Sequence, residues 1–297
     1  MDAVVLVSGG AAVTPYTSAE RAAGEGLAAG NTSTALRTHL LQRHAAVFTA
    51  PARIGDGEVR EDTGWQGFSD VADVLPAEMT INAVGDIDAA GVRLAAFLGW
   101  LGEEHGVSSV RLVAHSMGGL FCRAALREIG RGGPAVSHLV TLGTPWHGSL
   151  LGDVLSGDIT TADAHDDPPT LSILEASPGY AAQNSQGAAA EVSAHFLAEW
   201  NAAQQGVLDN VAVTVIGGGH FRAYREPDRL WPHDGLVSLR SALATDVPAA
   251  VLPQVRRHTV DDDVHSIFFA NGFDLPWERA LTWDPAVFEL VDAALTT

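Results

Sequence analysis

Around Ser116 the sequence leaves few structural choices. The run Val110-Arg111-Leu112-Val113-Ala114 is apolar enough for a buried strand, and it continues through His115-Ser116-Met117-Gly118-Gly119 into a helical pattern. A serine on a sharp strand-to-helix turn needs small residues two places before and two places after it, because strand and helix backbones approach closely there. Ala114 and Gly118 stand in those places. Such a turn lifts the hydroxyl clear of the sheet and points the first free N–H groups of the helix, that of Met117 among them, at whatever the serine faces.

The rest of the chain alternates around this turn. Ala3-Val4-Val5-Leu6-Val7 is a continuous apolar run stopped by Ser8-Gly9-Gly10, the pattern of a strand buried on both faces of a parallel sheet. Further strands are expected at 45–49, at His138–Leu142, at Val211–Ile216 and at Val251–Val255. From Asp86 to His105, Ile87, Ala90, Leu94, Phe97 and Leu101 recur at spacings of three and four, which predicts an amphipathic helix with Asp86 as N-cap and Gly106 as stop. The helix after the serine carries Leu120, Phe121, Ala124 and Ala125 inward and is expected to end at Gly130. Asp284-Pro285 opens a closing helix with Val287, Leu290, Val291 and Ala294 inward. Strand, helix and strand in alternation predict a parallel sheet with right-handed crossovers. The segment from 17 to 42 has a weak helical period. The stretch from Pro51 to Met79, with Gly64-Trp65 and Gly67-Phe68, reads as a long loop or short helices. No internal repeat is present.

Ala-His-Ser-Met-Gly-Gly at 114–119 resembles the elbow of bacterial lipases and esterases of the α/β-hydrolase superfamily, with alanine where glycine is commoner. Thr-Leu-Gly-Thr-Pro-Trp-His-Gly-Ser at 141–149 resembles the segment after the next strand in the same enzymes. The resemblance implies an α/β-hydrolase fold, one domain over 1–297, with a cap or lid inserted at about 150–205. It also implies a serine hydrolase of carboxylic esters that works through an acyl-serine intermediate and needs no cofactor. Amidase or acyltransferase chemistry on the same fold, or a binding module that keeps the fold without catalysis, remain as alternatives.

Site residues follow from the same resemblance. Ser116 is the expected nucleophile, and the oxyanion donors are the N–H of Met117 and that of Gly10 or Ala11, since Ser8-Gly9-Gly10 occupies the place of the usual His-Gly-x loop. Asp-Gly-x-Val-Ser at 234–238 resembles the acid loop. Asp234 competes with Asp261, Asp262 and Asp263, and His265 with His258. The superfamily order of serine, acid, histidine favours Asp234 and His265. The acidic run at 261–263 is then a solvated loop, and His258 lies in or beside the last strand. Trp146 is expected to line an apolar substrate pocket, and His147 to be structural or pocket-lining. The substrate is then a small-molecule or lipid ester, with a leaning towards a lipase.

Composition limits the partners. Asp and Glu number 36 against 17 basic residues, all of them arginine, for a net charge of −19. The largest basic cluster is Arg256-Arg257, so neither nucleic acid nor an anionic membrane surface has a face to bind. No apolar run is long enough to insert stably in a bilayer. The single cysteine, Cys122, reads as a packing residue and excludes an intramolecular disulfide. His165-Asp166-Asp167 reads as a turn, because three adjacent residues cannot close a coordination shell, and no metal is expected. With no leader-like segment before the first strand, the expected location is cytoplasmic, secretion staying open. On oligomeric state the sequence is silent.

Overall fold

The computed structural model describes residues 1–14, 32–59, 74–129, 133–184, 187–222 and 229–296. Six strands form one parallel sheet: β1 (Asp2–Val7), β2 (Val47–Thr49), β5 (Ser109–His115), β6 (Ala135–Leu142), β7 (Ala212–Gly218) and β8 (Val255–Val260). Their order is β2-β1-β5-β6-β7-β8. Two short strands, β3 (Ala52–Arg53) and β4 (Ile81–Asn82), pair in parallel apart from it. The helices are α1 (Thr34–Leu41), α2 (Ile87–His105), α3 (Gly118–Glu128), α4 (Leu150–Ser156), α5 (Pro168–Asn184), α6 (Ala188–Glu191), α7 (Ala194–Ala202), α8 (Leu239–Ala242), α9 (Ile267–Gly272) and α10 (Pro285–Leu295). This is the parallel sheet that the alternation predicts, in the α/β-hydrolase arrangement that the resemblance implies.

Side-chain alternation sorts each strand between two cores. Val5, Val7, Leu112, Ala114, Leu139 and Val215 pack on one face with α2 and α3. Val4, Leu6, Val113, Val140, Leu142 and Ile216 pack on the other with α1 and α10. On α2 the predicted stripe is buried at Ile87, Ala90, Leu94, Phe97 and Leu101. Gly91 lets α2 lie directly on α3, because a Cβ there would stand 2.3 Å from that of Ala124. Cys122 is buried in the same core, and burial pushes its thiol pKa up.

Two expectations need correction. The last strand is Val255–Val260, not 251–255; Val251 and Leu252 are buried in the turn before it. As an edge strand with a polar face, Val-Arg-Arg-His-Thr-Val carries no apolar run to mark it. Asp86 occupies the N-cap place of α2, yet its side chain caps nothing; the N–H of Ile87 donates to the Glu191 carboxylate at 2.7 Å. Gly106 does close that helix in the left-handed region, at φ 63°. Gly130, the residues Gly64 to Phe68 and most of the weak helical segment before α1 lie outside the described residues.

The sheet order reverses at β1, which has β2 on one side and β5 on the other. Loops leaving the carboxyl ends of β1 and β5 therefore diverge to opposite faces and leave a crevice between them, where open α/β sheets bind ligands. Between β6 and β7, helices α4 to α7 form an insertion over this end of the sheet, in the segment expected at 150–205. Among the described residues no helix is long and apolar enough to cross a membrane.

Candidate active site

Ser116 sits at the crevice with φ +56°, a left-handed conformation that a non-glycine residue holds only when its surroundings impose it. Its N–H donates to Leu142 C=O at 2.9 Å, and the Thr144 hydroxyl donates to its C=O at 2.7 Å. The small neighbours are needed for contact as well as for the turn. A Cβ on Gly118 would lie 2.5 Å from Val7 O, and one on Gly9 would lie 2.5 Å from Ser116 Cβ and 2.9 Å from His115 O. The β1 loop thus passes directly against the serine.

Ser116 Oγ is 2.9 Å from His265 Nε2, and His265 Nδ1 is 2.7 Å from Asp234 Oδ2. A carboxylate only accepts, so Nδ1 carries the proton and Nε2 is left to accept from the serine hydroxyl. Asp234 is fully buried; its Oδ1 accepts from Leu236 N–H at 2.9 Å and Val237 N–H at 2.8 Å, so both carboxylate oxygens have donors. Gly143, at φ +58°, gives the pair its room, since a Cβ there would come within 3.0 Å of both Asp234 Oδ2 and His265 Nδ1.

The competing residues lie in different places. His258 lies on edge strand β8, opposite Ile216, while His265 precedes α9 with its ring against Ser116. Of the acidic run, Asp261 and Asp262 are exposed and ion-paired with Arg222 and Arg279. Asp263 is a correction, because it is fully buried. Its carboxyl faces that of Asp284, and burial together with this second carboxyl pushes its pKa up to about 8.

Met117 and Gly10 both border the cleft at Ser116, and neither backbone N–H has a partner among the described residues. Ala11 is different: its N–H donates to Ala83 C=O at 3.0 Å, so of the two expected donors Gly10 is the one with its N–H free among the described residues.

A small cleft open to solvent lies beside Ser116. Its walls include Leu151, Tyr180, Ala188, Ala189, Val192 and Leu236, mostly apolar and mostly from the insertion. None of these was legible as a site residue, since an apolar side chain in a helical pattern reads as packing. Trp146 is not among the walls, against expectation. It is fully buried, its Nε1–H donates to Thr141 Oγ1 at 3.1 Å, and the Arg123 guanidinium lies 4.5 Å above its ring. Arg123 has Trp200 on its other side at 4.6 Å and donates to Asn201. The tryptophan therefore packs α3 to α7 rather than touching a ligand.

His147 has its N–H on Ser241 Oγ and lies outside the cleft walls. His165 and Asp166 sit in left-handed turn positions, and Asp167 accepts from Thr170 N–H at the start of α5. Among the described residues the one group of three ligand-type side chains is His39, Glu289 and Asp292. Arg43 already pairs with both acids there.

A family described as PGAP1-like alpha/beta domain matches residues 98–245, a span that includes Ser116 and Asp234. No curated protein matches the sequence. In structure the chain is similar to Staphylococcus hyicus lipase, at 14% identity over 99% of this chain and 95% of that one, with a TM-score of 0.56. It is also similar to a gene product of Listeria innocua, at 15% identity over 100% of this chain and 94% of that one, with a TM-score of 0.50. At such identities the likeness is one of fold.

Proposed function

Because the chain is an α/β-hydrolase by fold, we propose that it cleaves carboxylic esters through an acyl-serine intermediate. The observation that carries this reading is the bonded series from Ser116 Oγ through His265 to Asp234, at 2.9 and 2.7 Å, opening on an apolar cleft. In the first step Ser116 Oγ attacks the ester carbonyl carbon while its proton passes to His265 Nε2. Asp234 keeps the imidazole in the accepting tautomer and stabilises the imidazolium. The N–H groups of Met117 and Gly10 face the developing oxyanion. Collapse of the tetrahedral intermediate expels the alcohol, which takes the proton from His265. Water then attacks the acyl-serine by the same route, releasing the acid and restoring Ser116.

Residues 150–205 act as the cap in this reading, and their apolar walls accept the hydrocarbon part of the substrate. Ties that hold the cap segment to the body include Ala188 N–H to Val84 C=O at 3.3 Å, Leu150 N–H to Leu236 C=O at 2.8 Å, Trp200 Nε1–H to Asp88 at 2.9 Å, and the Glu191 carboxylate to Ile87 N–H. They favour a fixed mouth over a mobile lid, and so turnover that saturates smoothly through the substrate's solubility limit.

A phosphonate probe should label Ser116 of the wild-type protein, and Ser116→Ala should lose nitrophenyl ester turnover by orders of magnitude while melting as wild type does. Unchanged turnover in that variant, or no labelling of the wild type, rejects the reading.

A further inference from the structure

Resting on the reading above, we infer that His115, the residue before the nucleophile, is a positioning residue that holds the base in place through its backbone carbonyl. His115 closes β5 and its Nε2 is 2.8 Å from His265 O. A carbonyl only accepts, so this nitrogen carries the proton and donates. The two rings stand 4.7 Å apart, tilted by 42°, which closes that side of the His265 ring to movement.

The backbone of His265 is thereby held at both ends. Its N–H donates to Asp234 C=O at 2.7 Å, and its C=O accepts from His115. Acid and nucleophile segments each fix one end of the base residue, across 31 and 150 positions of sequence. This matters because the Ser116–His265 hydrogen bond must break in every turnover. A bond that does not take part in the reaction keeps Nε2 in reach of Oγ while the reacting bond is open. A displacement of about 1 Å at such a site costs about 100-fold in rate.

The protonation state of His115 agrees with the geometry. The ring is buried, and desolvation followed by the neighbouring His265 hold its pKa down to about 3. It stays neutral while His265 gains and loses its proton, and so does not oppose the imidazolium that forms beside it.

The test compares His115→Phe, which keeps a ring and removes the donor, with the near-isosteric pair His115→Gln and His115→Met, which differ in donating. Rates are taken per folded molecule, from melting curves, with a short nitrophenyl ester. Expected is a fall in kcat of about 10- to 100-fold in the Phe and Met variants, with KM within about threefold, and slower phosphonate labelling of Ser116 in proportion. His115→Gln should recover at least several-fold over His115→Met. Wild-type kcat in His115→Phe, or equal kcat in the Gln and Met variants, overturns the inference. Both outcomes differ from failure of the hydrolase reading, in which the wild-type protein itself is not labelled at Ser116.

Discussion

The floor and the roof of the cleft are held by different forces. At the floor, Ser116, Gly9, Gly118 and Gly143 fit by backbone sterics, and the hydrogen bonds around them run mostly to backbone groups. His115 and His233, the residues before Ser116 and Asp234, are buried there, and burial holds their pKa values down to about 3 and about 4. At the roof, two carboxylates hold helix starts. Glu191 accepts from Ile87 N–H at the start of α2, and Asp153 accepts from Ala194 N–H at the start of α7, each at 2.7 Å. Burial raises the pKa of both, that of Asp153 to about 6. Steric fit fixes an atom's position within tenths of an ångström, as a reacting centre requires. A carboxylate on a helix N-terminus fixes where an element lies and leaves its inner surface free to vary.

The largest effects should lie in the floor's charged series. His265→Ala and Asp234→Asn should each cut ester turnover by about 10⁴-fold or more, whereas His258→Ala, altered on the edge strand, should stay within about tenfold of wild type. A reversed ranking of the two histidines would assign the base to β8. Next comes a steric change of a single methyl. Gly9→Ala should lower kcat by about 100-fold, because the added Cβ must displace either Ser116 or the β1 loop. Full activity there would show that the floor yields as readily as the roof.

Changes in the roof should appear in KM and stability instead. Glu191→Ala leaves the start of α2 uncapped and should cost about 1 kcal/mol in chemical denaturation. It should also raise KM several-fold with kcat nearly unchanged, while Glu191→Gln, which still accepts, should retain most of both. A kcat loss as large as that of Gly9→Ala would erase the distinction between the regions.

The smallest effects are in pH dependence. A carboxyl with a raised pKa binds its proton more tightly in the folded protein than in the unfolded chain, where the value is about 4. Stability therefore falls as pH rises through the interval between the two values and is level above it. For Asp153 that interval ends near pH 6, and for Asp263 near pH 8. Melting of Asp153→Asn should be flatter than wild type between pH 4 and 6. Asp263→Asn should be flatter from 4 to 8 and more stable than wild type at pH 8. An unchanged slope in Asp263→Asn would show that the buried carboxyl is not the titrating group.

Short-range signals determined much of this molecule before any contact was known. The alternation of Val4, Val5, Leu6 and Val7 sorts itself between two faces because successive side chains of a strand point oppositely. Ala114-His115-Ser116-Met117-Gly118 requires a close strand-helix turn, which is a property of five adjacent residues. The loop at Asp234-Gly235 and the order of serine, acid and histidine carried the expectation of Asp234 and His265, and the fold brings these two side chains together with Ser116.

What only the tertiary structure decided are relations between residues distant in sequence. Strand β8 has too little apolar surface to be read from its own residues, and pairing with β7 defines it. Trp146 reads as a pocket wall until Arg123 and Asn201 are seen around it. Asp263 reads as solvated beside two other aspartates until Asp284 faces it, 21 positions on. The cap of α2 comes from Glu191, 104 residues after the N–H it accepts from. Steric and periodic rules act within a turn or a strand and can be read locally. Which distant partner satisfies a buried polar group depends on the path of the whole chain, and no local pattern encodes it.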